Sequence, residues 1–244
     1  MNYKRNNWYF QPKTGLIVFG CTLLFMGIII LMFSFFYGTL FLIGALAIFF
    51  LTSLGIKLDE LDRSCEELVN NMKEEAFSYF GIDEEQVNEA PAMIVSGYEF
   101  GEDFDEDIGQ IVFCKKGEGG VWRSSQYKVS VLLFSREQIY FFSRSFSIVK
   151  KGDVQQYTDE FFYRDIVSVT VMKEKTLVPK NMSLMMAKLD PRVKVEKTAV
   201  SYDVLKITTT GGTTIKAVIK NSAEFDRSFN AMRNLLRDKK QIMA

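Results

Sequence analysis

Histidine is absent from this sequence. That absence excludes Ser-His-Asp and Cys-His nucleophile activation, imidazole general bases and histidine-ligated metals together. Cysteine is scarce: Cys21, Cys65 and Cys114 are the three in 244 residues. They are far apart and form neither a disulfide framework nor a zinc spacing, which points to a reducing compartment. No proline lies between Pro12 and Pro91, and no charged residue lies between Lys13 and Lys57.

What fills the uncharged gap is apolar. Residues 14–56 are about twice the roughly 20 residues one helix needs to cross a bilayer core. They are read as an uncleaved transmembrane helical hairpin, with helices at about 15–36 and 39–56 and the turn at Tyr37-Gly38-Thr39. A hairpin of helices satisfies its backbone polar groups internally, as lipid requires. A signal peptide would have a shorter apolar core followed by small residues at a cleavage site; here Ser34-Phe35-Phe36-Tyr37 is too bulky. Lys4, Arg5 and Lys13 flank the first helix and the turn is uncharged, so both termini are expected on the cytoplasmic side of the cell (inner) membrane. Trp8, Tyr9 and Phe10 fit an interfacial aromatic belt, and Gly20, Gly27, Gly44 and Ala47 suit close helix packing. No ionisable residue lies within the span to suggest ion conduction.

The zero net charge conceals a division. Residues 57–107 carry three basic and seventeen acidic side chains, and residues 108–244 carry twenty-four basic and thirteen acidic. Leu58, Leu61, Cys65, Leu68 and Met72 recur at helical spacing, so residues 57–91 are read as an amphipathic stalk and linker. Leu58, Leu61, Leu68 and Met72 would pack against the chain's own domain or self-associate. Asp103, Asp105 and Asp107 alternate as in a calcium loop, but Ile108 stands where the glycine is needed and Cys114 where the bidentate glutamate is needed. That stretch is read as a solvated acidic loop.

From residue 92 to 244 the pattern is that of a soluble domain of short strands, at 93–100, 108–113, 126–134, 138–148, 157–163, 166–172, 202–210 and 213–219. Gly117-Glu118-Gly119-Gly120 lacks the Lys-Ser/Thr of a phosphate loop and reads as a turn. Gly211-Gly212 is the strongest hairpin signal. The end is helical: Asn221 and Glu224 suggest a capping box, and Phe225, Phe229, Met232, Leu235 and Leu236 share one face.

Val131-Leu132-Leu133-Phe134, Gln138-Ile139-Tyr140-Phe141-Phe142, the run from Phe161 to Val169, and the Gly-Gly hairpin with its final helix together resemble the pleckstrin-homology-like fold. The likeness is greatest to its bacterial and GRAM-like members, some of which carry two membrane helices before the domain. It covers roughly residues 120–240. It implies a mostly-β domain and an antiparallel barrel closed by a C-terminal helix, a fold that hosts lipid binding, peptide binding and pure scaffolding. The Lys-x-n-Arg pattern of phosphoinositide-binding members is not carried over, because strand alternation does not aim Lys128 and Arg136 together.

No catalytic constellation is present. Asp159 and Glu160 are adjacent and point to opposite faces of a strand, and no Gly-x-Ser-x-Gly elbow occurs. The chain is read as a non-enzyme needing no cofactor and no metal. Its phenylalanine-rich strands suit a core rather than a nucleic-acid platform. Residues 174–200 exceed ordinary loop length. They join Met182, Met185 and Met186 to Lys175, Lys180, Lys188, Arg192 and Lys194, the apolar tip with basic shoulders that an anionic lipid surface favours. The same methionines would also serve to cap an open barrel end. The expected function is a membrane-anchored protein whose domain binds lipid headgroups or a partner protein. The alternative is a scaffold or homo-oligomer assembled through the stalk.

Overall fold

The computed structural model describes residues 1–53, 58–101, 112–117, 120–181, 183, 186–187, 190, 192–220 and 223–243. The chain opens with α1 (Tyr3–Phe10), whose first turn is closed by the Arg5 N–H donating to the Asn2 side chain at 3.2 Å. Next come α2 (Thr14–Leu31) and α3 (Phe35–Ser53), two helices long and apolar enough to cross a membrane. Only 11% of each apolar stretch is buried, unlike a helix at the centre of a soluble core. Gly20 faces Ile48 and Phe49, Gly27 faces Leu42, and Gly38 faces Leu31, so the two helices run antiparallel.

The turn falls earlier than the sequence suggests. It occupies residues 32–34, and Tyr37-Gly38-Thr39 lies inside α3. Gly38 is needed for contact rather than for turning, since a Cβ there would stand 2.5 Å from the Leu31 Cα. The Thr39 hydroxyl donates to the Phe35 and Phe36 carbonyls at 3.0 and 2.9 Å, which suits a helix interior in lipid. Ala45 is buried in the second helix along with Gly38, whereas Ala47 is exposed.

The segment read as one stalk is two short helices, α4 (Leu58–Glu66) and α5 (Met72–Phe80), separated by turns at 67–71. Gly81 ends α5 in the left-handed conformation (φ 65°), where a side chain would be strained.

All strands pair antiparallel. β1 (Ala90–Glu99), β4 (Gln126–Phe134), β5 (Gln138–Ser147) and β6 (Val154–Phe162) form a four-stranded sheet in that order. β2 (Cys114–Lys116) and β3 (Trp122–Ser124) make a small hairpin inserted between β1 and β4. Of the strand expected at 108–113, residues 108–111 lie outside the described residues, and pairing begins at Cys114. After a 3-10 turn at Tyr163–Asp165, β7 (Ile166–Pro179), β8 (Lys197–Thr209) and β9 (Thr214–Ile219) form a second sheet. Both ends of the long loop expected at 174–200 are therefore strand, because β7 and β8 stay in register as far as Pro179 and Lys197, and the connection itself is residues 180–196. Thr176, Val178, Thr198 and Val200, β-branched residues suited to a pleated surface, carry the extension. The last helix, α6 (Ala223–Met243), closes the chain. Asn221, the expected cap, lies outside the described residues.

The four-stranded sheet is covered on both faces, so β4 reads as nearly continuous apolar sequence. Val129, Val131 and Leu133 face one way, into a cluster with Leu61, Cys65, Met72 and Ala76. Leu132 and Phe134 face the other way, toward Leu205, Ile207, Ile215, Phe225, Met232 and Leu236. Alternation along the strand divides the two clusters.

Among the described residues no closed barrel is found. The two larger sheets are separate, and near β1 and β9 the Lys220 N–H donates to the Ser96 carbonyl at 2.8 Å. Val218 packs face-on against Gly97, where a Cβ would stand 2.8 Å from Val218 Cγ1. The strands meet at that corner without forming a ladder.

Candidate functional site

The N-terminal helix docks on the domain. Tyr9 and Phe10 are buried among Tyr127, Val129 and Ile148 instead of lying in an aromatic belt at a membrane surface. The reason is geometric: the outer face of the four-stranded sheet offers more apolar surface than α4 and α5 cover, and α1 fills the remainder. Asn6 is fully buried, and its side-chain amide donates to the Ile148 carbonyl at 2.8 Å. The Lys115 ammonium donates to the Tyr9 carbonyl at 2.8 Å and stands 4.4 Å above the Tyr9 ring. Arg5 pairs with Glu60 at 2.8 Å, and Lys13 donates to the Thr52 carbonyl at the far end of the hairpin. Both outer ends of the hairpin are thus tied to neighbouring chain.

The loop that follows β7 reaches the same seam. Asn181 donates through Nδ2 to the Phe10 carbonyl at 2.7 Å, and its Oδ1 accepts from the Cys114 N–H at 3.2 Å. Asn181, Ser183, Met186 and Ala187 are helical. Met186 is 52% exposed. Lys175, on β7, and Lys180, Arg192 and Lys194 are exposed. Met182, Met185 and Lys188 lie outside the described residues. Lys180 pairs with Glu196 at 2.6 Å, which offsets one of the expected cations. Leu177, 61% exposed on β7, is an apolar residue of this surface that the sequence did not single out.

The stalk stripe faces inward. Leu61 and Met72 are fully buried and Leu58 and Leu68 are partly buried, all against the chain's own four-stranded sheet. At their edge lies a cluster with no signal in the sequence, because its members are 36 and 61 positions apart. Arg123 donates from Nε and Nη2 to Asp62 at 2.9 and 2.7 Å, a two-point pairing. The Tyr98 hydroxyl donates to the same carboxylate at 2.7 Å. Burial pushes the Asp62 carboxyl upward, but the hydrogen bonds from Arg123 and Tyr98 and the Arg123 charge more than offset this and hold it below its ordinary value. Burial raises the Tyr98 hydroxyl strongly and pushes the Cys65 and Cys114 thiols up to about 12. Such thiols are poor nucleophiles.

No family model, curated protein or solved structure matches this chain. Function is therefore read from geometry. Among the described residues no group of three or more acidic or cysteine side chains is placed to hold a metal ion. The aspartates at 103, 105 and 107 lie outside the described residues. Asp159 and Glu160 share no partner: Asp159 accepts from the Tyr157 hydroxyl at 3.0 Å, and Glu160 accepts from the Gln138 side chain at 2.7 Å. What the geometry assembles is a seam where the start of the hairpin, the β2–β3 hairpin and the loop after β7 meet.

Proposed function

We propose that this chain is a multi-pass, non-enzymatic protein of the cell membrane whose cytoplasmic, pleckstrin-homology-like domain reads anionic lipid headgroups. The arrangement of four strands, a corner, three strands and a final helix supports the pleckstrin-homology-like reading. Lys4, Arg5 and Lys13 support the cytoplasmic side for both termini. One observation carries the lipid reading. The hydrogen bond from Asn181 to the Phe10 carbonyl fixes the start of the loop that carries Met186, Arg192 and Lys194 to a residue just before the first apolar helix. Each Lys or Arg beside an anionic surface contributes about 1 kcal/mol, over a range of roughly 8 Å at physiological salt. Tethering makes such weak contacts sufficient. Assembly through the stalk is the weaker reading, since Leu61 and Met72 are already covered by the chain's own sheet.

The test uses the full chain in nanodiscs, with Cys21→Ser and an environment-sensitive fluorophore at Met186→Cys. Discs of phosphatidylcholine are compared with discs that also hold phosphatidylglycerol. The expected result is a blue shift in the anionic discs alone, removed by high salt and by combined Lys175→Glu, Arg192→Glu and Lys194→Glu. Equal emission in both discs overturns the lipid reading in favour of a protein partner.

A further inference from the structure

Two lysines come together at the outer end of the hairpin. Lys13 immediately precedes α2, and its ammonium crosses to the Thr52 carbonyl in the last turn of α3. Lys115 comes from β2 of the soluble domain, and its ammonium donates to the Tyr9 carbonyl at 2.8 Å. Each also lies over a ring of α1. Lys13 is 5.6 Å from the centre of the Trp8 ring, and Lys115 is 4.4 Å from that of Tyr9, the next residue. Both lysines are half-buried. Among the described residues neither ammonium pairs with a carboxylate. Other covered cations of this chain do: Arg123, Lys128, Arg144, Lys216 and Lys239 each face one. Burial holds both ammoniums below the ordinary lysine value, and the Lys13 charge lowers Lys115 further. Two like charges are thus held near each other, partly out of water, with carbonyls as their only polar partners among the described residues.

We infer that Lys13 and Lys115 together hold the phosphate of one anionic phospholipid in the leaflet that borders the domain. An ammonium has three donors and each carbonyl takes one, so both lysines keep donors for phosphate oxygens. Carbonyls satisfy hydrogen bonds but leave both charges in place, whereas a phosphodiester offsets them. A phosphatidylcholine headgroup would press its own cation against the two ammoniums, so an anionic headgroup is favoured. The level along the hairpin is that of lipid headgroups, because Lys13 and Thr52 stand where the two apolar helices begin and end. A lysine that only snorkels from a helix end extends its ammonium into water. Lys13 and Lys115 are instead drawn back onto carbonyls and rings. This site takes a single lipid at fixed stoichiometry, unlike the surface contact of the loop after β7. Its lipid source rests on the membrane reading above, whereas the pairing of the two lysines does not.

The test counts lipids on the full chain in neutral detergent by native mass spectrometry. Dioleoyl phosphatidylglycerol, dioleoyl phosphatidylcholine, diolein and inorganic phosphate are titrated separately. One phosphatidylglycerol per chain is expected at a concentration where phosphatidylcholine and diolein give none. Lys13→Gln and Lys115→Gln keep a side-chain donor but lose the charge, and each should weaken that binding about tenfold. Lys115→Arg keeps the charge and should bind as wild type, which separates lost charge from lost fold. Lys116→Gln, at an exposed position on the opposite face of β2, should also bind as wild type. Absence of a preference for phosphatidylglycerol overturns the site. So does equal weakening by Lys116→Gln, since binding would then follow overall charge. Displacement of the lipid by inorganic phosphate at equal concentration overturns the lipid source. Detergent offers no bilayer surface, so a loop after β7 that fails to meet a membrane leaves this count unchanged.

Discussion

Asn181 joins two main-chain groups that are about a hundred residues apart in sequence, the Phe10 carbonyl and the Cys114 N–H, at 2.7 and 3.2 Å. Through this one side chain the N-terminal helix, the β2–β3 hairpin and the loop after β7 hold a common position. Replacing Asn181 by Ala leaves both groups without that partner at a partly buried seam. A loss of ~1–3 kcal/mol is expected, read as a lowered Tm of the full chain in detergent. A Tm equal to wild type would show that the bridge contributes nothing.

Leu61 is fully buried against the four-stranded sheet, while Leu58 is partly buried. Leu61→Ala should cost about 2–5 kcal/mol, the range for a core leucine, and Leu58→Ala clearly less. Comparing the two melts tests whether α4 belongs to the domain core. If cross-linking shows that Leu61→Ala alters oligomeric state but not Tm, α4 works as an assembly helix instead.

Cys65 and Cys114 are buried, with thiols pushed up to about 12. At pH 7–8 neither should react with a water-soluble maleimide in the folded chain, and both should react in denaturant. Mass spectrometry of labelled peptides decides this. Rapid labelling of Cys114 in the native protein would mean that the hairpin carrying it is not seated as described.

The Asp62 carboxyl sits below its ordinary value. Its folded pKa is therefore lower than its unfolded value of about 3.9, and the unfolded state binds more protons as the solution becomes acid. The stabilisation it supplies is fully present above roughly pH 4 and is lost as pH falls through the folded pKa. Asp62→Asn should remove that acid-side dependence and lower stability at neutral pH by ~2 kcal/mol, since Arg123 loses a charged partner at a partly solvated site. Melts of both proteins from neutral to acid pH provide the comparison. Parallel curves would exclude Asp62 as a source of the acid response.

Topological reporters fused at residue 2 and at residue 244 should both report the cytoplasm, because the basic residues lie before α2 and the turn at 32–34 is uncharged. An exported signal from either end defeats the orientation given under Proposed function.

Short-range pattern was enough for several features of this protein. An uncharged run of 43 residues can be accommodated as two apolar helices. The three- and four-residue spacing of Leu58, Leu61, Cys65, Leu68 and Met72 marks one face whether or not the helix is continuous. Gly211-Gly212 reverses the chain, with Gly212 at φ 81°. Phe225, Met232 and Leu236 share the buried side of the final helix. Each depends on a backbone period or on one residue's conformational range, and both are local. Tertiary structure decided the rest. Tyr9 and Phe10 look like interfacial aromatics until the sheet they cover is in place. The extra length of β7 appears only when β8 lies beside it. Asp62, Tyr98 and Arg123 carry no spacing signal, because a pairing between distant residues is set by how strands and helices stack and not by either segment's own period.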